Sequence, residues 1–226
     1  GIAQSIVQRH RRRAAAQQRR HRLAGYVDEA PAALGLVQHQ QLLIGGSFSK
    51  KLASLNPLTG KFTTYLNVSV TGSLPLSTDK IEVFKFAVNP AATRLVGIGN
   101  FTTVNGINRQ RAFMLNLDGA GGTLSDWYYT PLDRRCLTTT GNRIAYLQDV
   151  DFAPDGSYFV FASTGYVPQT TAEIGTALCD AAARFETDIL NPVKPTWINY
   201  AGGDTLHGIE ATGAAVYVSG HSRWLD

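Results

Sequence analysis

The sequence predicts an all-β fold assembled from repeated antiparallel units, and three observations carry that prediction. One module is written out between Arg94 and Trp127. In it a short apolar strand (Arg94–Gly99) leads into a turn-rich loop (Asn100–Asn108), and Arg111–Leu117 then alternates apolar and polar residues like a half-buried strand. The same grammar recurs upstream at Leu42–Leu66, where Gly46 aligns with Gly99, Phe48 with Phe101, and Pro57–Gly60 with the Asp118–Gly122 turn. Finally, 22 glycines and 10% aromatic residues against only 17% charged residues suit many short strands joined by tight reversals.

In chain order, residues 1–40 differ in kind from the rest. Seven arginines fall within residues 1–23 (Arg9, Arg11, Arg12, Arg13, Arg19, Arg20 and Arg22) with no acid among them. Taking those seven charges from the net +4 leaves residues 24–226 at −3, so only the tail is basic. Ala, Gln and Arg favour helix, but the stretch has no apolar stripe with which to dock. It reads as a solvated arm, as an anchor for nucleic acid or another anionic surface, or as non-native sequence produced by a frame error; block charges are most often tails, which disfavours nucleic acid.

From Gln41 onward the text is strands and turns. FKFAVNPAATRLVGIGNF (Phe84–Phe101), VDFAPDGSYFVFASTG (Val150–Gly165) and IEATGAAVYVSGH (Ile209–His221) each give strand, turn, strand. Pro154 fixes φ and Asp155-Gly156 permits a left-handed turn, which predicts a hairpin between Val150–Phe152 and Tyr158–Phe161; Asn105-Gly106 predicts another reversal. Asp118-Gly119 and Gly121-Gly122 supply positive-φ positions for the reversal after Leu117. The glycine closing the second strand falls at Gly46, Gly99, Gly165 and Gly220, spacings of 53, 66 and 55 residues. A period near sixty fits a four-stranded unit and belongs to propellers and arrays. The expectation is therefore a partial β-propeller, residues 41–226, of about three to four four-stranded antiparallel blades. That number does not close a ring. The chain also starts at Gly1 and ends in strand-like text, so it reads as an excerpt of a longer protein whose remaining blades lie elsewhere.

The segment GNFTTVNGINRQRAFMLNLDG, Gly99 to Gly119, resembles the bacterial β-propeller repeat of about sixty residues known as the delta-60 repeat. Its Gly-x-Phe, Thr-x-x-Asn-Gly loop, basic residues and apolar strand ending in Asp-Gly carry the likeness; in the first copy Ser49-Lys50-Lys51 replaces the whole loop. FAPDGSYFVF, Phe152 to Phe161, is similar to the Pro-Asp-Gly segment of WD-like propeller repeats. The resemblance implies a secreted or cell-surface propeller and by itself confers no chemistry.

Cys136 and Cys179 are the only cysteines, and an even pair in an oxidising compartment reads as a disulfide, the alternative being two unrelated buried thiols. A bond would staple the Tyr166–Asp180 excursion to the loop before the Val150 hairpin, and the pair lacks the spacing of a zinc site. Gly220-His221-Ser222-Arg223-Trp224 fails as a nucleophile elbow, since Trp224 stands where a second Gly is needed and no helix follows. His207, His221 and Trp224 are candidates to line a sugar- or peptide-binding surface near a channel mouth; otherwise His221 satisfies a backbone group and Trp224 packs between blades. Asp149 and Asp151 point to one strand face and are candidate Ca²⁺ ligands, although no Asp-x-Asp-x-Asp-Gly loop supports them, and no other cofactor is expected.

No apolar run reaches the roughly eighteen residues of a membrane-spanning helix. Two function classes follow. One is an extracellular, non-catalytic binding module for carbohydrate or protein. The other is an extracellular enzyme (hydrolase, lyase or oxidoreductase) with its site at the channel mouth.

Overall fold

The computed structural model describes residues 33–37, 41–138 and 141–223. The basic stretch 1–32 and Trp224 lie outside the described residues. Within them the chain is all-β, with a single turn of 3-10 helix at Thr130–Asp133.

Strands β1 (Ala33–Val37), β2 (Gln41–Gly45) and β3 (Leu52–Leu55) make a first antiparallel sheet. Next come β4 (Val70–Thr71), β5 (Glu82–Val88), β6 (Arg94–Asn100), β7 (Thr103–Val104), β8 (Ile107–Asn108), β9 (Ala112–Leu117) and β10 (Gly122–Leu124). Of these, β5, β6, β9 and β10 form a four-stranded meander, and β4, β7 and β8 a small side sheet. The hairpin β11 (Cys136–Thr138) and β12 (Gly141–Arg143) precedes a second four-stranded meander, β13 (Leu147–Phe152), β14 (Tyr158–Ser163), β15 (Ala181–Glu186) and β16 (Trp197–Tyr200). A hairpin of β17 (Leu206–Ala211) and β18 (Val216–Gly220) ends the described chain. The four-stranded unit expected from the repeat is thus realised twice, while the first sheet shows three strands and the last two. The first sheet also begins at Ala33, because Ala33–Val37 pairs along its length with Gln41–Gly45. The boundary read at residue 40 therefore falls too late.

Strand alternation explains how the sheets stack. On β9, Phe113, Leu115 and Leu117 face the first sheet, packing in one cluster with Leu43 and Leu52; Ala112 and Met114 face the other way, toward Phe159 and Phe161 of β14. On β14, Val160 and Ala162 in turn pack against Leu206, Ile209 and Ala211 of β17. The two meanders are therefore buried on both faces, which is why their central strands read as near-continuous apolar text. Trp127, fully buried, fills the space between them, with ring centroids 5.3 Å from Phe159 and 6.0 Å from Phe185, both edge-on. Burying each such phenylalanine contributes about 1.5–3 kcal/mol.

The turns follow their predicted chemistry, with two differences. Asn105 (φ 52°) and Gly106 (φ 77°) make the left-handed pair that reverses β7 into β8, and Asn105 anchors the hairpin by exchanging hydrogen bonds with the Ser69 backbone. After β9, however, only Gly121 of the four-residue Gly/Asp set adopts a positive φ; the Asp118 carboxylate shapes the rest by accepting the Ala120 and Gly121 N–H groups. The second difference concerns Gly165. Register pairs Gly99 with Val83 and Gly220 with Leu206, but the residue opposite Leu147 is Ser163. A Cβ on Gly99 would sit 1.9 Å from the Glu82 carbonyl oxygen, and one on Gly220 would sit 2.4 Å from that of Thr205. On Gly165 it would instead meet Cys136 Sγ at 2.5 Å, so this glycine makes room for the disulfide rather than for a neighbouring strand.

Cys136 and Cys179 are bonded, with Cα atoms 5.8 Å apart, and the bridge ties β11 to the segment before β15 as the sequence predicts. Beside it, Arg111 does work that the sequence does not announce. Its backbone is left-handed (φ 67°), its side chain is buried, and its guanidinium donates to the carbonyls of Leu132, Arg134 and Ala145, pinning the approach to the disulfide hairpin.

Candidate functional site

The first strands of three successive sheets, β5, β13 and β17, carry the same irregularity. Pairing skips one residue between Val83 and Lys85, between Leu147 and Asp149, and between Leu206 and Gly208. Phe84, Gln148 and His207 are the extra residues of three equivalent bulges. After each bulge the strand presents an alternate row: Lys85 and Ala87 on β5, Asp149 and Asp151 on β13, Gly208 and Glu210 on β17.

These rows meet in a groove of about 380 Å³ lined by Lys85, Asp149, Asp151, Ile209 and Glu210 among others. Asp149 sits at its centre. One carboxylate oxygen is 3.0 Å from Lys85 Nζ and the other accepts the Ile209 N–H at 3.0 Å. Asp151 accepts the Ala211 N–H at 2.9 Å. The two acids therefore latch β17 to β13 through the backbone. The Lys85–Asp149 pair is partly solvated and contributes about 1 kcal/mol or less. Burial raises the Asp151 carboxyl above its ordinary value; the Ala211 and Phe152 N–H groups oppose this, and the charges of Asp149 and Glu210 add to it. Glu210 occupies the Asp151 position of the next copy and is exposed.

Asp149 and Asp151 thus share a face, as their spacing predicts, and both accept backbone N–H groups of β17. Their oxygens are engaged by backbone N–H groups and an ammonium. Among the described residues no three His, Cys, Asp or Glu side chains are grouped to hold a metal.

His207 and His221 are brought together, edge to face with ring centroids 5.5 Å apart, at the bulged end of β17. Both are exposed. His221 Nδ1 lies 3.8 Å from an Asp204 carboxylate oxygen, and the His221 N–H donates to the Thr205 carbonyl. Nearby, Asp180 is buried and its carboxyl is pushed up to about 6 by burial, with the Asp204 charge adding to the rise and a Gly165 N–H and Arg143 opposing it. Sequence reading missed Lys85 and Glu210. The signal was present, since Glu210 aligns with Asp151 once Ile209–Ala211 is laid over Val150–Phe152.

Among the described residues no helix is long and apolar enough to cross a membrane. No protein-family model matches the chain, and no curated protein matches it. Solved structures align with it at low identity. Chains from the outer coat vertex of COPII on membranes and from the COPII coat assembled on membranes each align over 85% of this chain at 12% identity and a TM-score of 0.47. The alignments take in 44% and 24% of those chains, so this chain spans less than half their length. Hydrazine synthase of Kuenenia stuttgartiensis aligns over 84% of this chain and 61% of its own at 13% identity and a TM-score of 0.37. Likeness at this level assigns no role.

Proposed function

We propose that this chain is part of an extracellular β-propeller of the delta-60 type, acting as a non-catalytic binding module for carbohydrate or protein. The observation that carries the reading is the side-by-side placement of β5, β13 and β17, each bulged at the same point, which directs Lys85, Asp149, Asp151 and Glu210 into one groove. Consecutive meanders whose first strands lie together are what blades around an axis require. The disulfide suits an oxidising compartment. The exposed Glu210 carboxylate in this groove suits a polyhydroxylated ligand, because a carboxylate takes charge-assisted hydrogen bonds from hydroxyls.

The test is a glycan array and a pull-down from extracellular fluid, run with the full chain and with Glu210→Gln, a substitution at an exposed side chain. Saturable binding that Glu210→Gln weakens, with no change in melting temperature, supports the module. Binding indifferent to Glu210, or none to either ligand class, refutes it. One observation favours the enzyme reading as second: the Asp151 carboxyl, raised by burial, stands near a second acid on the same strand, Asp149. Hydrolysis of a bound glycan, lost in Asp151→Asn, would move the assignment there.

A further inference from the structure

Away from the groove, a cavity of about 420 Å³ opens beneath the disulfide hairpin. Its volume is within the range of small-molecule sites. Apolar wall is supplied by Leu132, Ala145 and Leu178. The polar lining is unusual in its charge: Arg111, Arg134 and Arg135 against one acid, Glu173.

Arg111 is the centre of the argument. The residue is 3% exposed, and its Nε has no hydrogen-bond partner. Its other nitrogens reach only backbone carbonyls, and among the described residues it forms no ion pair. A buried cation held mainly by backbone dipoles, with only the charge of Asp133 supporting it from farther off, is costly unless an anion joins it. Burial lowers its proton affinity to about 10, which still leaves it charged at neutral pH. Glu173 is not that anion. Its two carboxylate oxygens are taken by the Leu137 and Gln169 N–H groups at 3.0 and 2.8 Å. Arg135 is fixed at the rim by a bond to the Pro75 carbonyl, and Arg134 is exposed beside it. The lining therefore presents net positive charge beside hydrocarbon, with Arg111 lying against Leu132 and Ala145.

We propose that this cavity binds a small carboxylic acid, its carboxylate beside the Arg111 guanidinium and its apolar body against Leu132, Ala145 and Leu178. Hydrated inorganic anions are poor occupants, since the apolar wall offers them no replacement for water. The site is separate from the β5–β13–β17 groove and stands or falls independently of it.

The probe is 4-fluorobenzoate, followed by ¹⁹F NMR with the disulfide-intact full chain, against the neutral isostere 4-fluorobenzamide. The acid should bind saturably and at least about tenfold more tightly than the amide, a margin one desolvated charge pair readily supplies. Arg111 variants risk misfolding because that side chain caps three carbonyls, so the blocking variant is Ala177→Phe, which places a ring in the cavity from a lining position. It should abolish binding. Arg134→Gln, altering only an exposed side chain at the mouth, should weaken the acid about threefold and leave the amide unchanged. Equal affinity for acid and amide, no saturable binding at millimolar probe, or binding that survives in folded Ala177→Phe with Arg134→Gln also silent would each overturn the assignment.

Discussion

Replacing both cysteines by serine isolates the contribution of the Cys136–Cys179 bridge. The cross-link spans a sequence separation of 43 residues. On the chain-entropy model, closing a loop of that length removes about 4 kcal/mol of unfolded-state freedom at 25 °C. Serine is close to cysteine in size, so the cavity left behind adds little. For a chain of this length each kcal/mol moves the melting temperature by about 2–4 °C, and the double variant should melt roughly 8–16 °C below the parent. Thermal and urea unfolding followed by tryptophan fluorescence measure the loss. Reductant should lower the parent to the level of the variant and leave the variant where it is. A loss under about 1 kcal/mol would refute the reasoning. It would mean that the unfolded ensemble keeps enough structure to restrict the loop without the bridge.

Further predictions rest on other elements. Gly99→Ala should destabilise by about 3 kcal/mol or more, seen as a fall in the urea midpoint, because the new Cβ would press on the Glu82 backbone and cannot be relieved by a side-chain rotation. Asp180 has a folded value above that of an unfolded carboxyl, so it favours folding while protonated; that contribution is complete below about pH 4 and is lost as pH rises through about 6. Asp180→Asn, which tolerates the local φ of 49° and stays neutral, should gain on the parent across that window and hold its advantage at pH 7, as read from unfolding curves at several pH values. Truncation should be harmless only up to a point: a chain starting at residue 41 should melt below one starting at residue 33, since β1 pairs with β2 over its whole length. Equal melting temperatures would show that this pairing adds nothing.

Much of the sheet structure was legible in the sequence because it rests on local rules. The apolar runs in Arg111–Leu117 and Tyr158–Phe161 mark strands, although Arg111–Leu117, read as half-buried, is buried on both faces, and Asn105-Gly106 and Pro154-Asp155-Gly156 impose their turns wherever they occur. The disulfide was legible from cysteine count and its turn-rich flanks. The bulges were not. Phe84, Gln148 and His207 share no residue type, because a bulge is set by pairing across two strands and leaves no mark on one of them. Spacing alone also misled at Gly165, where a glycine near the expected period answers to a sulfur atom instead of a strand. The site was half legible for a related reason. Asp149 and Asp151 could be placed on one face, but their partners are backbone N–H groups about sixty residues away, which no residue pattern encodes.

The order of the sheets has a consequence for how the molecule comes apart. Each main sheet packs on the sheets before and after it in the chain, through separate apolar clusters with no common centre. Cohesion of that kind behaves like a row of coupled units, each held by its neighbours, with opening free energies that fall toward the ends. Amides of β6, β9 and β14, clasped from both sides, should be the slowest to exchange with deuterium, and those of the β17–β18 hairpin should exchange through fraying well below the global unfolding free energy. The carboxylate latches from Asp149 and Asp151 then act as a brake on that fraying, since they hold the outermost described sheet by its backbone.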